Sequence, residues 1–253
     1  MKITFLGTGT SQGVPLIGCD CEVCQSQNPQ DNRLRSSVLL ESDEIKIVID
    51  AGPDFRQQML RTGIRHLDAV LITHAHKDHI GGLDDVRAFN YLMKKPVNVY
   101  AQSSVLDVIQ KDFFYAFDEV KYPGVPDINL HTIDSDKFFV KDLEIIPLEV
   151  MHYKMPIFGY RIQNAAYITD ANFISDEVIE KIKNIPVLVI NALRHRPHIS
   201  HFSLSETLAV IERIQPKKAF MTHMSHQIGL QTEIEKDLPK NVNFAYDGLT
   251  IEI

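Results

Sequence analysis

The feature that most constrains this chain is a cluster of potential metal ligands directly after an apolar run. Residues 70–73, Val-Leu-Ile-Thr, have the composition of a buried strand, and the next six residues include His74, His76, Asp78 and His79. At the end of a strand the first two histidines can point to one side, while Asp78 and His79 can bind a second ion. Imidazole and carboxylate are ligands that borderline divalent ions accept. The segment predicts a metal site at a sheet edge.

This pattern, His-x-His-x-Asp-His, resembles the signature of the metallo-β-lactamase superfamily. The resemblance implies three further ligands, which His152, Asp170 and His223 match. Each of them lies just past an apolar run, where a strand would deliver it to one edge of a sheet. Alone, each would more often be an ordinary core or turn residue. As a matched series they predict two catalytic divalent ions, zinc or manganese, bound between His74 and His223.

The apolar patterning predicts an α/β (α+β) chain built as a four-layer αββα sandwich, which is also the metallo-β-lactamase fold that the resemblance implies. Short β-branched runs predict strands at 2–6, 45–50, 69–73, 97–101, 145–150, 165–169 and 187–192. Helical patterns cover 53–61, 104–117, 175–183, 203–214 and 231–238. No long Gly/Ser/Pro linker divides the sequence, so residues 1–253 are predicted to form a single domain. Residues 87–126 best fit an insertion or lid, although helical aromatics such as those at 113–117 usually belong to a core.

A second metal site is predicted from the cysteines. Cys19, Cys21 and Cys24 are an odd number with zinc-like spacing, so they favour metal ligation over disulfides. A closed zinc site needs a fourth ligand from elsewhere, and six histidines remain for that role: His66, His131, His195, His198, His201 and His226. His226 is attractive because it closely follows His223.

The whole chain also resembles one branch of the superfamily, the cyclic phosphodiesterases associated with bacterial phosphonate breakdown. The similarity includes the opening segment Gly-Thr-Gly-Thr-Ser-x-Gly-Val-Pro at 7–15, the cysteine motif, Thr-His-x-Ser-His at 222–226 and Tyr-Asp-Gly at 246–248. This resemblance implies a structural zinc held by Cys19, Cys21, Cys24 and His226.

The predicted ligands favour hydrolysis of small anionic phosphodiesters, such as cyclic phosphates of ribose or nucleosides. Two divalent ions, set against Asp78, Asp170 and a bridging hydroxide, leave a formal charge of about +1, which suits an anion. Two ions roughly 3.5–4 Å apart also activate a shared water and hold the oxygens of a displacement at phosphorus. Asp78 is therefore predicted to act in catalysis as well as in metal binding.

Departure of an alkoxide needs an acid, for which His201 is the predicted residue; the family resemblance implies a catalytic histidine at this position, and His198 is its rival. Asp50, at the end of another apolar run, is predicted to orient a ligand imidazole without binding metal itself.

Composition weighs against some partners. The chain has 253 residues and a formal net charge of −7, which disfavours a nucleic-acid partner. It shows neither a secretion signal nor an apolar run long enough for a membrane span, so a cytoplasmic protein is expected, and a homodimer is compatible with the sequence. Three alternatives remain open: a nuclease resembling the tRNA 3′-processing enzymes, a lactone or thioester hydrolase, and a non-catalytic metal-binding protein.

Overall fold

Two mixed sheets form the centre of the computed structural model, which describes residues 1–42, 45–120 and 122–253. The strands of the first sheet are, in spatial order, β14 (Thr250–Glu252), β1 (Lys2–Gly7), β2 (Ser37–Ser42), β3 (Ile45–Ile49), β4 (Ala69–Leu71), β5 (Val97–Ala101) and β6 (Ile128–Thr132). The pairs from β14 to β3 are antiparallel, and those from β3 to β6 are parallel. The parallel part requires crossover connections, and helices supply them.

The second sheet repeats this plan. Its strands are, in spatial order, β13 (Val242–Phe244), β12 (Lys218–Thr222), β11 (Val187–Asn191), β10 (Ala165–Ile168), β9 (Met155–Ile162), β8 (Leu143–His152) and β7 (Phe138–Val140). The strands β7 to β10 form an antiparallel meander, and β10 to β13 run parallel. Each sheet therefore has an edge where its parallel strands end together.

Helices cover the outer faces of both sheets. They are α1 (Phe55–Thr62), α2 (Lys77–Ile80), α3 (Arg87–Met93), α4 (Ser103–Asp112), α5 (Asp176–Ile182), α6 (Leu204–Ile214) and α7 (Gln231–Ile234). Phe55 and Ile109 pack with one core on the first sheet, and Ile179 and Ile211 pack with another on the second. A third core, which includes Tyr160, lies between the sheets. This arrangement confirms the αββα sandwich.

Element boundaries differ from the predicted ones for local reasons. The predicted strand at 69–73 ends at Leu71, because the Thr73 amide donates to the Asp50 carboxylate at 2.9 Å. The predicted helix at 231–238 is α-helical only to Ile234, and Leu238 is extended because Pro239 disfavours a helical residue before it.

The segment 87–126 is largely part of the sandwich. It contributes α3, β5 and α4, and β5 pairs with strands on both sides. The aromatics at 113–117, for which a core position was favoured, are divided: Phe113 is buried in the core, whereas Phe114 is exposed. The prediction of an insertion or lid over residues 87–126 is therefore wrong for the described elements of this segment, which belong to the sandwich. None of the helices within the described ranges has the length and apolar character needed to span a bilayer.

Candidate metal centre

The ends of four strands bring the predicted catalytic ligands to one edge of the sandwich. His74 follows β4, His152 is the last residue of β8, Asp170 follows β10, and His223 directly follows β12. The first comes from one sheet and the other three from the second, so the cluster lies where the two sheets meet. Strand ends are rigid supports, which suits a site whose geometry must be held.

The loop that carries the other ligands is packed closely on the turn after β3. The Ala51 amide donates to the His79 carbonyl, and the Gly82 amide donates to the Ala51 carbonyl, both at 2.8 Å. A Cβ atom at Gly52 would lie 1.9 Å from the Asp78 carbonyl oxygen. Only glycine allows this approach, which places α2 and its ligands at the cluster.

Three imidazoles form the first donor group. Nitrogen atoms of His74, His76 and His152 all lie within 4.8 Å of one another. His74 Nε2 and His76 Nδ1 are 3.0 Å apart. Three imidazoles are the type of protein ligand set found at catalytic zinc sites.

A second group lies beside the first and contains two carboxylates. Donor atoms of Asp78, Asp170 and His223 lie within 4.8 Å of one another. His79 completes this group, because its Nε2 lies 3.1 Å from Asp78 Oδ2 and 3.4 Å from Asp170 Oδ2. Asp170 also forms a close set with His74 and His79, so its carboxylate lies between the two groups.

Hydrogen bonds on the far side of the rings fix their orientation. His79 Nδ1 donates to Asp50 Oδ2 at 2.7 Å, and the Thr73 hydroxyl holds the same carboxylate at 2.9 Å. His152 Nδ1 donates to the Asp170 carbonyl at 2.7 Å. In both rings the Nδ1 proton is directed away from the cluster, which leaves Nε2 as the donor atom. Asp50 thus has the orienting position that the sequence predicted.

Burial and neighbouring charges shift the pKa values of the clustered carboxylates and imidazoles. Burial opposes ionisation of Asp170, but the neighbouring imidazoles, His223 foremost, hold its pKa well below the usual value. Burial likewise lowers the pKa of His74. His79 behaves in the opposite way, since the carboxylates of Asp50, Asp170 and Asp78 outweigh burial and raise its pKa well above the usual value. The metal-free centre therefore holds a proton on His79.

The two candidate acids lie at the margin of the cluster. The His201 ring centroid is 4.8 Å from that of His152, and its Nδ1 is 3.7 Å from Asp170 Oδ1. Burial, with the nearby charge of His223, lowers the pKa of His201 to about 3. His198 is more exposed, and its ring centroid lies 5.1 Å from that of His201.

The cysteine cluster forms as predicted. His226 Nδ1 lies 3.3 Å from the sulfurs of Cys19 and Cys21 and 3.6 Å from that of Cys24. A tetrahedral zinc with ordinary Zn–S and Zn–N bonds separates its ligand atoms by roughly 3.6 Å. The four side chains therefore have the spacing of a structural zinc site.

A polar cavity of about 230 Å³ separates the two clusters. His201 and His226 both line it, together with Arg194 and the loop from Thr10 to Gly13. The Thr10 hydroxyl lies 3.2 Å from His223 Nε2, so this loop borders the metal ligands directly. Sequence reasoning did not assign a role to Thr10 or Arg194. For Thr10, the glycine-rich opening segment was a signal in the sequence that could have indicated a role at the site. Arg194 lies in a loop with no recognisable motif.

The donor chemistry fits divalent ions. The Nε2 atom of His79 is buried, faces two carboxylates and has no hydrogen-bond partner among the described residues. A buried polar atom without such a partner is costly, and a metal ion would relieve that cost. Two stacked mixed sheets with a His/Asp donor cluster at one edge are the fold and site of a metal-dependent hydrolase.

Comparison with known proteins agrees with this class. The sequence model of the beta-lactamase superfamily domain matches residues 46–224. A solved structure described as a new diphosphatase from the PhnP family superposes with a TM-score of 0.94 at 38% identity, covering 100% of this chain and 96% of that one. The chain therefore belongs to the metallo-β-lactamase superfamily and is similar to its PhnP family.

Two curated relatives are longer. An octanoyltransferase of Porphyromonas gingivalis (strain ATCC BAA-308 / W83) is 43% identical over 252 residues, which are 98% of this chain and 51% of that protein. A ribonuclease Z of Nostoc sp. (strain PCC 7120 / SAG 25.82 / UTEX 2576) is 31% identical over 166 residues, which are 64% of this chain and 46% of that protein. The chain spans about half the length of these two relatives.

Proposed function

We propose that this chain is a dinuclear metal-dependent phosphodiesterase that hydrolyses small anionic phosphodiesters. The observation that carries the proposal is the pair of adjacent donor groups with Asp170 between them. His74, His76 and His152 would hold one ion, and Asp78, His79 and His223 the other, with Asp170 shared. When bound, two such ions lower the pKa of a shared water and hold the oxygens of a displacement at phosphorus.

The surrounding residues suit an anionic substrate. Thr10 and Arg194 line the cavity beside the cluster, where a hydroxyl and a guanidinium can bind the non-bridging oxygens of a phosphodiester. The Asp50 carboxylate is buried against His79 and does not line this cavity. The diphosphatase named among the similar structures also acts on a phosphate compound, which supports chemistry at phosphorus.

His201 is the proposed acid for the leaving alkoxide. Its ring lies between the donor cluster and the polar cavity, so it can reach a leaving oxygen on that side. With its pKa lowered to about 3, the imidazole is neutral in the metal-free centre. The negative charge of a bound phosphodiester would shift that pKa upward, in opposition to the positive charge of the two ions.

The Cys19, Cys21, Cys24 and His226 cluster is proposed to hold a structural zinc. Thiolates and one imidazole make a closed four-ligand set, which leaves no position for a substrate. Its role would be to join the N-terminal loop to the segment that carries His223.

The test is metal-dependent hydrolysis of bis-p-nitrophenyl phosphate and of a ribose cyclic phosphate. Metal-free protein is reloaded with zinc or with manganese, and His76→Ala is compared with His66→Ala, which changes a histidine outside the cluster. We expect activity with at least one metal, and a loss of about 100-fold or more in His76→Ala alone. His201→Ala should impair the cyclic phosphate more than the p-nitrophenyl ester, because p-nitrophenolate leaves without an acid. Metal-loaded protein inactive on both substrates would refute the proposal.

A second candidate is hydrolysis of an acyl thioester. The observation that favours it is the 43% identity to a protein named octanoyltransferase, of which this chain matches about half. An octanoyl thioester added to the same assay separates the two candidates, since preference for it would move the chemistry to carbon.

A third candidate, a nuclease, is favoured by the ribonuclease Z relative. The net charge of −7 weighs against a long nucleic-acid ligand. Cleavage of a tRNA precursor with an affinity that falls steeply with salt would support the nuclease over the phosphodiesterase.

A further inference from the structure

The Thr73 hydroxyl lies between side chains that belong to the two donor groups. Its Oγ1 atom is 3.0 Å from Nδ1 of His74, a member of the first, three-imidazole group. The same oxygen is 2.9 Å from Asp50 Oδ2, which also accepts from Nδ1 of His79, in the second group, at 2.7 Å. One hydroxyl therefore connects ligand candidates of both proposed ions.

The direction of these hydrogen bonds follows from what each group can donate. Asp50 accepts from the His79 ring and from the Thr73 amide, which is the environment of an ionised carboxylate. An ionised carboxylate only accepts, so the Thr73 hydroxyl donates to it, and the hydroxyl oxygen is left to accept from His74 Nδ1. The His74 proton is then on Nδ1. Its Nε2, which lies 3.0 Å from His76 Nδ1, is left as the ligand atom.

The backbone of Thr73 is fixed on two sides. Its amide donates to Asp50 Oδ1 at 2.9 Å, and its carbonyl accepts from the Phe158 amide of β9 at 3.1 Å. Thr73 is thus bonded both to the turn after β3 and to the second sheet. The side chains of Thr73, Asp50 and His79 are fully buried, so water does not compete for these hydrogen bonds. The position of the hydroxyl is therefore set by the fold.

We infer that Thr73 is a positioning residue for the metal pair, which connects the Asp50 carboxylate to His74 so that one buried anion orients ligands of both ions. This inference rests on the two ions of the proposed function, but not on the reaction that they catalyse. Asp50 acts on His79 directly and on His74 through the hydroxyl. A hydrogen bond to the far nitrogen of a ligand imidazole fixes the ring and makes the metal-binding nitrogen more basic.

The test is the affinity of each ion of the pair in variants of Thr73. Manganese(II) is the probe, because thiolates favour softer ions and the cysteine cluster, refilled beforehand with one equivalent of zinc, stays out of the titration. Unbound manganese is measured by electron paramagnetic resonance. His76→Ala, which removes a donor of the first group, identifies the step in the titration that belongs to its ion.

Thr73→Val keeps the shape of the side chain and removes the hydroxyl. We expect it to weaken the ion of the first group by about 10- to 100-fold and the other ion by less than about threefold, because the bond from His79 to Asp50 remains. Thr73→Ser keeps the hydroxyl and should bind both ions within about threefold of the wild type. Asp50→Asn should weaken both ions. An Asp50→Asn variant in which only the ion of the second group is weakened would contradict the connection to His74.

The matched control is Thr207→Val. Thr207 is also fully buried, and its hydroxyl donates to the Asn191 carbonyl at 2.7 Å, outside the donor groups. Both valine variants lose a buried hydrogen bond and should lower Tm by roughly 2–8 °C, but only Thr73→Val should change manganese affinity. Equal affinities in the two valine variants, or a Thr73→Ser variant as weak as Thr73→Val, would overturn the inference.

Failure of the proposed function gives a different result. Metal-loaded protein that cleaves no phosphodiester, but whose Thr73→Val variant loses affinity for one ion, would refute the reaction and support the positioning role. Protein that cleaves phosphodiesters, but whose Thr73→Val variant has unchanged manganese affinity, would do the reverse. A wild type that binds a single manganese ion would refute both.

Discussion

Three residues at the metal cluster share an unusual backbone conformation. Asp50, Asp170 and His223 have φ angles of 65°, 61° and 56°, and each follows a strand in the parallel part of its sheet. Aspartate and histidine tolerate this left-handed region better than most other residues, and such conformations persist where the surroundings enforce them. Here the two candidate ligands, Asp170 and His223, and the Asp50 carboxylate adopt it where each strand ends and the loop of the site begins.

The proton held by His79 gives the first prediction at this scale. Its pKa is raised well above the usual value, so the ring is protonated at neutral pH in the metal-free protein, and metal binding must displace that proton. Metal affinity should therefore increase as pH rises through neutrality. Calorimetric titration of zinc or manganese in buffers of different ionisation enthalpy should show release of about one proton from this ring.

Substitution of Asp50 provides the check on that assignment. Asp50→Asn removes a carboxylate that raises the His79 pKa, so the variant should release fewer protons at the same pH. Asp107→Asn, which changes an exposed carboxylate on α4, is the control and should release as many as the wild type. Unchanged release in Asp50→Asn would show that the proton comes from another group.

At the scale of elements, α6 fixes the loop of the proposed acid. The helix begins at Leu204, just after His201, and Glu206 closes its start by accepting from the Ser203 amide at 2.8 Å and the Ser203 hydroxyl at 2.6 Å. The spacing of Ser203 and Glu206 predicts this capping box from the sequence. The Leu193 amide and the Phe202 carbonyl, 2.9 Å apart, then join the loop ends.

Loss of this cap should destabilise the chain modestly. Glu206→Ala is expected to lower the free energy of unfolding by about 1 kcal/mol, because it leaves the Ser203 amide and hydroxyl without their acceptor. Urea denaturation measures the change, and Glu212→Ala, an exposed residue of the same helix, is the control. Equal stability of the two variants would mean that the box contributes nothing.

Across the whole molecule, two side-chain clusters are among the contacts that join the N-terminal segment to the C-terminal part. Buried Arg33 donates to the Thr8 hydroxyl at 3.0 Å, to the Ala245 carbonyl at 2.8 Å and to Gln231 Oε1 at 2.8 Å. Burial lowers the pKa of Arg33 to about 10, while nearby acids, chiefly Asp247, partly offset that shift. The cysteine cluster with His226 is the second junction.

Removal of one thiolate tests the second junction. Cys21→Ser should lower the bound zinc by about one ion per chain and reduce Tm by roughly 5–15 °C, because metal binding and folding are coupled. Elemental analysis and thermal denaturation measure the two effects, and the catalytic pair should stay bound. Glu22→Gln, an exposed neighbour between the same cysteines, should change neither quantity. Full zinc content in Cys21→Ser would refute the structural site.

The local pattern of apolar and polar residues was sufficient to predict many of the strands and helices and the positions of the donor residues. The alternating and continuous apolar runs predicted strands such as β5 at its observed bounds. The helical pattern at 53–61 corresponds to α1, which Gly63 ends in the left-handed conformation that glycine favours. The donor residues stood directly after apolar runs, so their convergence at a sheet edge followed from the way strands end. These features depend on neighbouring residues, which a sequence displays directly.

Only the tertiary structure decided which distant segments meet. The pairing of β14 with β1, the approach of Thr10 to His223, and the contacts of Asn172 with the loops of Tyr153 and Ile199 join residues far apart in the chain. Such contacts depend on how both sheets stack and where their loops cross, and no local period of the sequence encodes that. The candidate ligands could therefore be predicted from the sequence, whereas the residues that surround them were defined only by the fold.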